Sequence, residues 1–116
     1  MSLKAYQNTQ QVVENPREAE YRLFGQVTGA LISAQREGRS GGPLAEVVEW
    51  NRRMWRMLAA DCLDNNNKLP EALRANIVSL SLFVTRYSKD VIRNGASLGP
   101  LIDINRNIMQ GLQGGG

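Results

Sequence analysis

The sequence predicts an all-α protein, a single helical domain over residues 1–112 built from about five helices, and three observations predict it. Apolar residues recur at three- and four-residue spacing along most of the chain, and no stretch alternates apolar and polar residues long enough to make a strand. Pro16, Pro43, Pro70 and Pro100 each stand where such a pattern begins, and the first helical turn is where proline's missing N–H costs nothing. The glycine- and asparagine-rich stretches "EGRSGG", "DNNNK" and "NGASLG" fall between the patterns and read as connections.

The first element, "LKAYQNTQQVV" over residues 3–13, is moderately helical and only weakly apolar. The second begins at Pro16 with Asn15 as its cap and Glu18 placed as in a capping box. Ala19, Leu23, Val27, Ala30 and Ala34 form one stripe on it, and Tyr21, Phe24, Thr28, Leu31 and Ile32 a second. Gly25 and Gly29, four apart, imply the close approach of another helix, the protein's own or a foreign one, since a mid-helix glycine costs up to about 1 kcal/mol relative to alanine.

The third helix, residues 43–63, carries Leu44, Val48, Trp55, Leu58 and Cys62 within about 40° of one direction, with Asn51 among them. A buried amide has to find partners, so Asn51 is expected to hydrogen-bond a neighbouring loop or helix end. The fourth, residues 70–93, is the most apolar and is predicted to be the central helix: Leu73, Ile77, Leu80, Val84, Tyr87 and Val91 make its stripe, with Phe83 beside it and Val78 and Leu82 on the far side. The fifth, residues 100–112, presents Leu101, Ile104, Ile108 and Leu112. The closing glycines have no means of ordering themselves, so residues 113–116 are expected to form a disordered tail.

Composition narrows the chemistry. The chain has 116 residues, one cysteine and no histidine. It is long enough to bury a core without metal or disulfide staples. A single thiol forbids an internal disulfide, in keeping with a reducing, cytoplasmic setting. The missing imidazole removes the commonest metal ligand and the commonest general base near neutral pH. Cys62 has no His partner and lies on a core stripe, where a small buried hydrophobe is expected. "GRSGG" lacks the spacing of a phosphate loop, and no serine sits in a nucleophile elbow. The reading is a protein that is not an enzyme, with no cofactor and no metal. The net charge of +3 comes from 14 basic and 11 acidic residues that are well mixed along the chain, which argues against direct nucleic-acid binding, and no aromatic platform for single strands stands out. No apolar run reaches the roughly 20 residues of a membrane span.

The stretch "EWNRRMWRM", residues 49–57, holds both tryptophans and two of the four methionines. Five helical positions turn through about 140°, so the two rings cannot share one narrow stripe. Trp55 belongs to the core stripe. Trp50, Met54 and Met57 make a second apolar strip, and Arg52, Arg53 and Arg56 occupy the arc beside it, with Glu49 spaced to pair with Arg53. Methionine, tryptophan and arginine recur where partner helices dock. The candidate docking groove is therefore Trp50, Met54 and Met57 on one wall and Tyr21, Phe24 and Leu31 on the other, with Arg53 and Arg56 as rim charges.

The fragments "AYQ", "NPREAEYRLF", "WNRRMW", "LPEALRANIVSLSLFV" and "LIDINRNIMQGL", in that order over residues 5–112, together resemble the FlaF family of bacterial flagellar biosynthesis regulators. The resemblance implies a small cytoplasmic helical protein required for production and export of flagellin. It implies action as a flagellin-binding secretion chaperone or adaptor, together with FlbT, a partner regulator associated with flagellin mRNA. The rival implication is a post-transcriptional regulator that acts on flagellin mRNA directly or through FlbT.

Overall fold

A computed structural model describes residues 16–114. The described chain is all-helical: α1 (Pro16–Glu37), α2 (Gly41–Cys62), α3 (Glu71–Asn94) and α4 (Gly99–Gly114). Four helices are thus described where about five were expected; the anticipated helix over residues 3–13 lies outside the described residues. α4 continues through Gly114, two residues beyond Leu112 where the expected helix stopped.

Each connection is closed by backbone geometry that the local sequence supplies. At the end of α1, Gly38 takes φ +63°, its N–H donates to Gln35 O at 3.2 Å, and Arg39 N–H donates to Ala34 O at 3.0 Å. These two bonds satisfy carbonyls that a helix end leaves open, in a left-handed conformation that glycine adopts without a Cβ penalty. Gly95 does the same for α3 at φ +72°, donating to Val91 O at 3.2 Å. The α2–α3 connection is organised by Asn67. Its Nδ2 donates to Asp61 O at 3.0 Å, its Oδ1 accepts from Leu69 N–H at 2.9 Å, and its carbonyl accepts from Arg74 Nη1 at 3.1 Å. Leu69 is thereby held inside the core.

α2 packs along α3 on one side and α1 on the other, and α1 also packs on α4; α3 and α4 meet only briefly. The central helix is therefore α2. This corrects the expectation that the most apolar helix, α3, would be central. α3 keeps Leu82 at 65% exposure, and Phe83 and Ile92 are exposed as well. Apolar residues on all sides of a helix register its composition, whereas centrality depends on which faces find neighbours.

The interior joins all four helices. It contains Phe24, Val27, Leu31 and Ala34 of α1, Val47, Val48, Met54, Trp55, Leu58 and Cys62 of α2, Ile77, Val84 and Val91 of α3, and Leu101, Ile102, Ile108 and Leu112 of α4. On α1 the buried face is the arc where the two sequence stripes meet, which uses Val27 and Ala34 from one and Phe24 and Leu31 from the other. Trp55 is wholly buried, as its stripe predicts, and Phe24 meets its ring edge-on at 5.5 Å between centroids. That geometry is one aromatic pairs prefer.

Within the described bundle, Gly25 and Gly29 mark no close approach of one of its own helices. A Cβ on Gly29 would meet nothing within 4 Å, and one on Gly25 would reach only the end of Met109 at 3.7 Å. The tight contact is at Gly111, where a Cβ would stand 3.2 Å from Leu73 Cδ1.

At the centre lies a polar cluster. Trp55 Nε1 donates to Asn105 Oδ1 at 2.8 Å. Asn105 Nδ2 donates to Asn51 Oδ1 at 2.8 Å and to Thr28 Oγ1 at 3.1 Å. All of these groups are buried. An indole N–H can only donate, so the atom of Asn105 that faces it must be the carbonyl oxygen; both amide hydrogens are then turned toward Asn51 and Thr28. Asn51 is thus buried and partnered as expected, but its partner is a mid-helix amide of α4 and not a loop or helix end. Asn51 Nδ2 is left without a hydrogen-bond partner among the described residues.

Two stability predictions follow from this core. Trp55→Ala should destabilise the protein by about 3–5 kcal/mol, as for other buried aromatics. Asn105→Ala should cost about 2–4 kcal/mol, because it orphans a buried indole N–H and a buried amide oxygen together. Urea titrations followed by circular dichroism check both, and an unchanged midpoint for either variant contradicts the role given to that residue.

Candidate functional site

The eight candidate docking residues fall in three places. Phe24, Leu31 and Met54 are interior, which corrects their assignment to an open groove: a partner cannot reach them without opening the bundle. Phe24 is committed to Trp55. Leu31 sits where the two α1 stripes meet. Met54 is one turn from both Trp50 and Met57 but rotated about 40° from Trp50 toward the core stripe, enough to carry it under the surface.

Tyr21 lies elsewhere, on a groove of about 1180 Å³ at one end of the bundle. Arg17, Glu20, Asp61, Asn67, Leu69 and Leu112 share its lining. Trp50 and Met57 are not part of it, so the structure does not bring the two expected walls together. The electrostatics of this groove are local and strained. Burial pushes the Glu20 carboxyl above its ordinary range, the neighbouring Asp61 charge pushes it further, and Arg17 partly offsets both. Burial likewise raises the Cys62 thiol, with Glu20 and Asp61 adding and Arg74 opposing.

The third place is the outer face of α2. Trp50 is 36% exposed and Met57 64% exposed. With Arg53 they fall at i, i+3 and i+7, on one face of the helix, and Arg56 stands alongside. Glu49 does not pair with Arg53 as its spacing allows. It takes a two-pronged contact from Arg52, one prong being Arg52 Nε to Glu49 Oε2 at 3.0 Å. That hydrogen bond, and the nearby arginine charges, hold the Glu49 carboxyl below its ordinary range. Arg53 and Arg56 stay exposed, with no salt bridge among the described residues. The face is a short apolar strip edged by two exposed cations that make no salt bridge among the described residues. It offers area and positive charge to a partner and no reactive group.

Among the described residues no group of His, Cys, Asp or Glu is placed to hold a metal ion. No helix among them is long and apolar enough to cross a membrane. Two features escaped the sequence reading. Asn105 interrupts the row Leu101, Ile108, Leu112 at helical spacing, and that position signals a buried amide. Phe83 and Tyr87 are four apart and stack, with ring centroids at 5.4 Å and planes 18° apart.

The fold and its surfaces define a small all-α helical bundle whose exposed large apolar side chains sit on the outer faces of α2 and α3 and, with Leu63, at the connection between them. The chain belongs to the FlaF family: the model for flagellar protein FlaF matches residues 2–112, nearly its whole length. No curated protein and no solved structure matches it.

The Glu20 shift has a definite sign. Its pKa is raised in the folded state, so folding is favoured by the protonated carboxyl, and this contribution is lost as pH rises through the folded value. Glu20→Gln should therefore melt higher than the parent at pH 7, with the difference vanishing below about pH 4, where the parent's carboxyl is protonated folded or unfolded. Thermal melts across that range check it; a variant that melts lower at pH 7 contradicts the assignment.

Proposed function

We propose that this flagellar protein is an adaptor, not a catalyst, that binds flagellin as a secretion chaperone and couples its supply to export. The observation that supports the reading is the outer face of α2: an indole and a thioether left exposed beside two arginines that make no salt bridge among the described residues. Flagellin's terminal segments are amphipathic helices in the filament, and before assembly their apolar sides need cover. A strip of this kind suits one side of such a helix. An ordinary specific interface covers roughly 800 Å² per partner, so the strip serves as the anchor of a larger contact.

Arg53 and Arg56 at its edge favour an acidic client and speed encounter. Ordering a disordered segment costs several kcal/mol, which keeps such a complex releasable. FlbT is the second partner in this reading, and the cytoplasm its place of action.

Trp50→Ala and Met57→Glu should each weaken flagellin binding at least about tenfold, the loss expected of a hot-spot residue, while leaving helicity and melting temperature intact. Met54→Glu should instead unfold the protein, since it buries a carboxylate. Isothermal titration of purified flagellin into each variant reads the first effect, and circular dichroism the second. Wild-type affinity in both surface variants would remove the strip from the interface.

A further inference from the structure

The outward face of α3 is independent of the α2 strip and carries a different chemistry. Phe83 is exposed, and its ring is stacked on Tyr87 in near-parallel planes. The stack is anchored: the Tyr87 hydroxyl donates to Ser97 O at 2.6 Å, which ties the inner ring to the α3–α4 connection. Phe83 is therefore presented as a fixed platform. Around it lies a shallow depression of about 420 Å³ lined by Phe83, Arg86, Tyr87, Lys89, Asp90, Arg93 and Asn94.

Three cations face one anion there. Asp90 is engaged by Asn94, whose Nδ2 donates to its Oδ1 at 2.6 Å, which turns the amide oxygen of Asn94 away from Asp90. Arg86 and Arg93, seven residues apart, are separated by about 10 Å along the helix, the span of one or two nucleotides of extended strand. A fixed π face bordered by three cations, with an amide oxygen at its edge, suits a ligand that is planar and anionic at once. Single-stranded nucleic acids are recognised by this combination, through base stacking and a cationic track for phosphates. An acidic helix would use the charge but has no need of the parallel stack.

We propose that the Phe83–Tyr87 stack with Arg86, Lys89 and Arg93 is a binding surface for a single-stranded nucleic acid. One base stacks on Phe83, and phosphates on either side meet the three cations. The surface was not legible in the sequence because the charges of α3 are interleaved with Leu82, Asp90 and Ile92 and form no run.

The test is fluorescence anisotropy of the full chain with a labelled 12-nucleotide oligoadenylate. Three phosphate contacts predict a slope of log affinity on log salt near −2, or about 20-fold weaker binding at 200 mM than at 50 mM salt. Phe83→Ala and Phe83→Leu should each weaken binding at least about fivefold, the low end for a lost base stack, while Phe83→Trp should retain it. Arg93→Gln should flatten the salt slope by about 0.7. Arg53→Gln with Arg56→Gln on α2, which belongs to the flagellin strip, should leave the affinity for the oligonucleotide unchanged. The proposal is overturned if no binding is detected at 50 mM salt, if Phe83→Leu binds as tightly as the parent, or if the α2 double variant loses binding instead. It is overturned equally if duplex DNA or phosphatidylglycerol vesicles bind as well as the oligonucleotide, which would mark the patch as a general anion or membrane surface. Because the residues lie on α3, loss of this site leaves flagellin binding through α2 unaffected, and the two readings fail separately.

Discussion

Three helices meet at one amide. Asn105 of α4 accepts from Trp55 and donates to Asn51, both on α2, and donates to Thr28 on α1. Apolar packing holds these helices together but is tolerant of sliding, because one methyl serves nearly as well as its neighbour. Hydrogen bonds inside a dry interior are not tolerant: shifting α4 by a single residue would strand the indole N–H and an amide oxygen away from water. The cluster thus fixes the register of α1, α2 and α4 against one another, and the aromatic pair of Phe24 and Trp55 packs around it. The unpartnered Nδ2 of Asn51 is the cost of this arrangement, since the orientation of Asn105 leaves Asn51 only its oxygen to offer.

With the register fixed, the faces left outside are fixed too. α2 turns its core stripe inward and its Trp50–Met57 edge outward. α3 lies along one side of α2 and barely touches α4, so much of its circumference faces solvent and carries both apolar and basic residues. Among the described residues, the exposed aromatic side chains Trp50 and Phe83 are therefore divided between two helices and two chemistries. One is aliphatic and aromatic with cations at its rim; the other is a stacked aromatic pair among cations. In the proposed adaptor role such a division would mean that two ligands need not compete for one surface.

Much of the fold was legible in the residues, and the failures have physical causes. Prolines at helix starts and glycines past helix ends located the described elements, because each answers to a backbone requirement that no neighbour can alter. Trp55 and Cys62 were correctly placed inside by the narrowness of their stripe. Met54 was not, because a 40° rotation separates an exposed position from a buried one and a helical wheel cannot say where the neighbouring helix ends. Phe24 and Leu31 failed for the same reason: with two apolar stripes on α1, only the position of α2 and α4 decides which arc is covered. The centrality of α2 was hidden because apolar content made α3 the better candidate. The Asn105 cluster depends on contacts between elements, which spacing alone registers faintly, whereas Phe83 and Tyr87 stand at a helical spacing that allows a stack without showing that the pair is left exposed.

The single thiol has a use that follows from where it lies. Cys62 ends α2 beneath the bundle, almost wholly covered, with its proton held more firmly than usual by its surroundings. An alkylating reagent can reach it only when that end of the bundle breathes. The protein carries its own stopwatch for transient opening: the pace at which the native thiol is trapped measures how often this end comes apart, without any label being introduced.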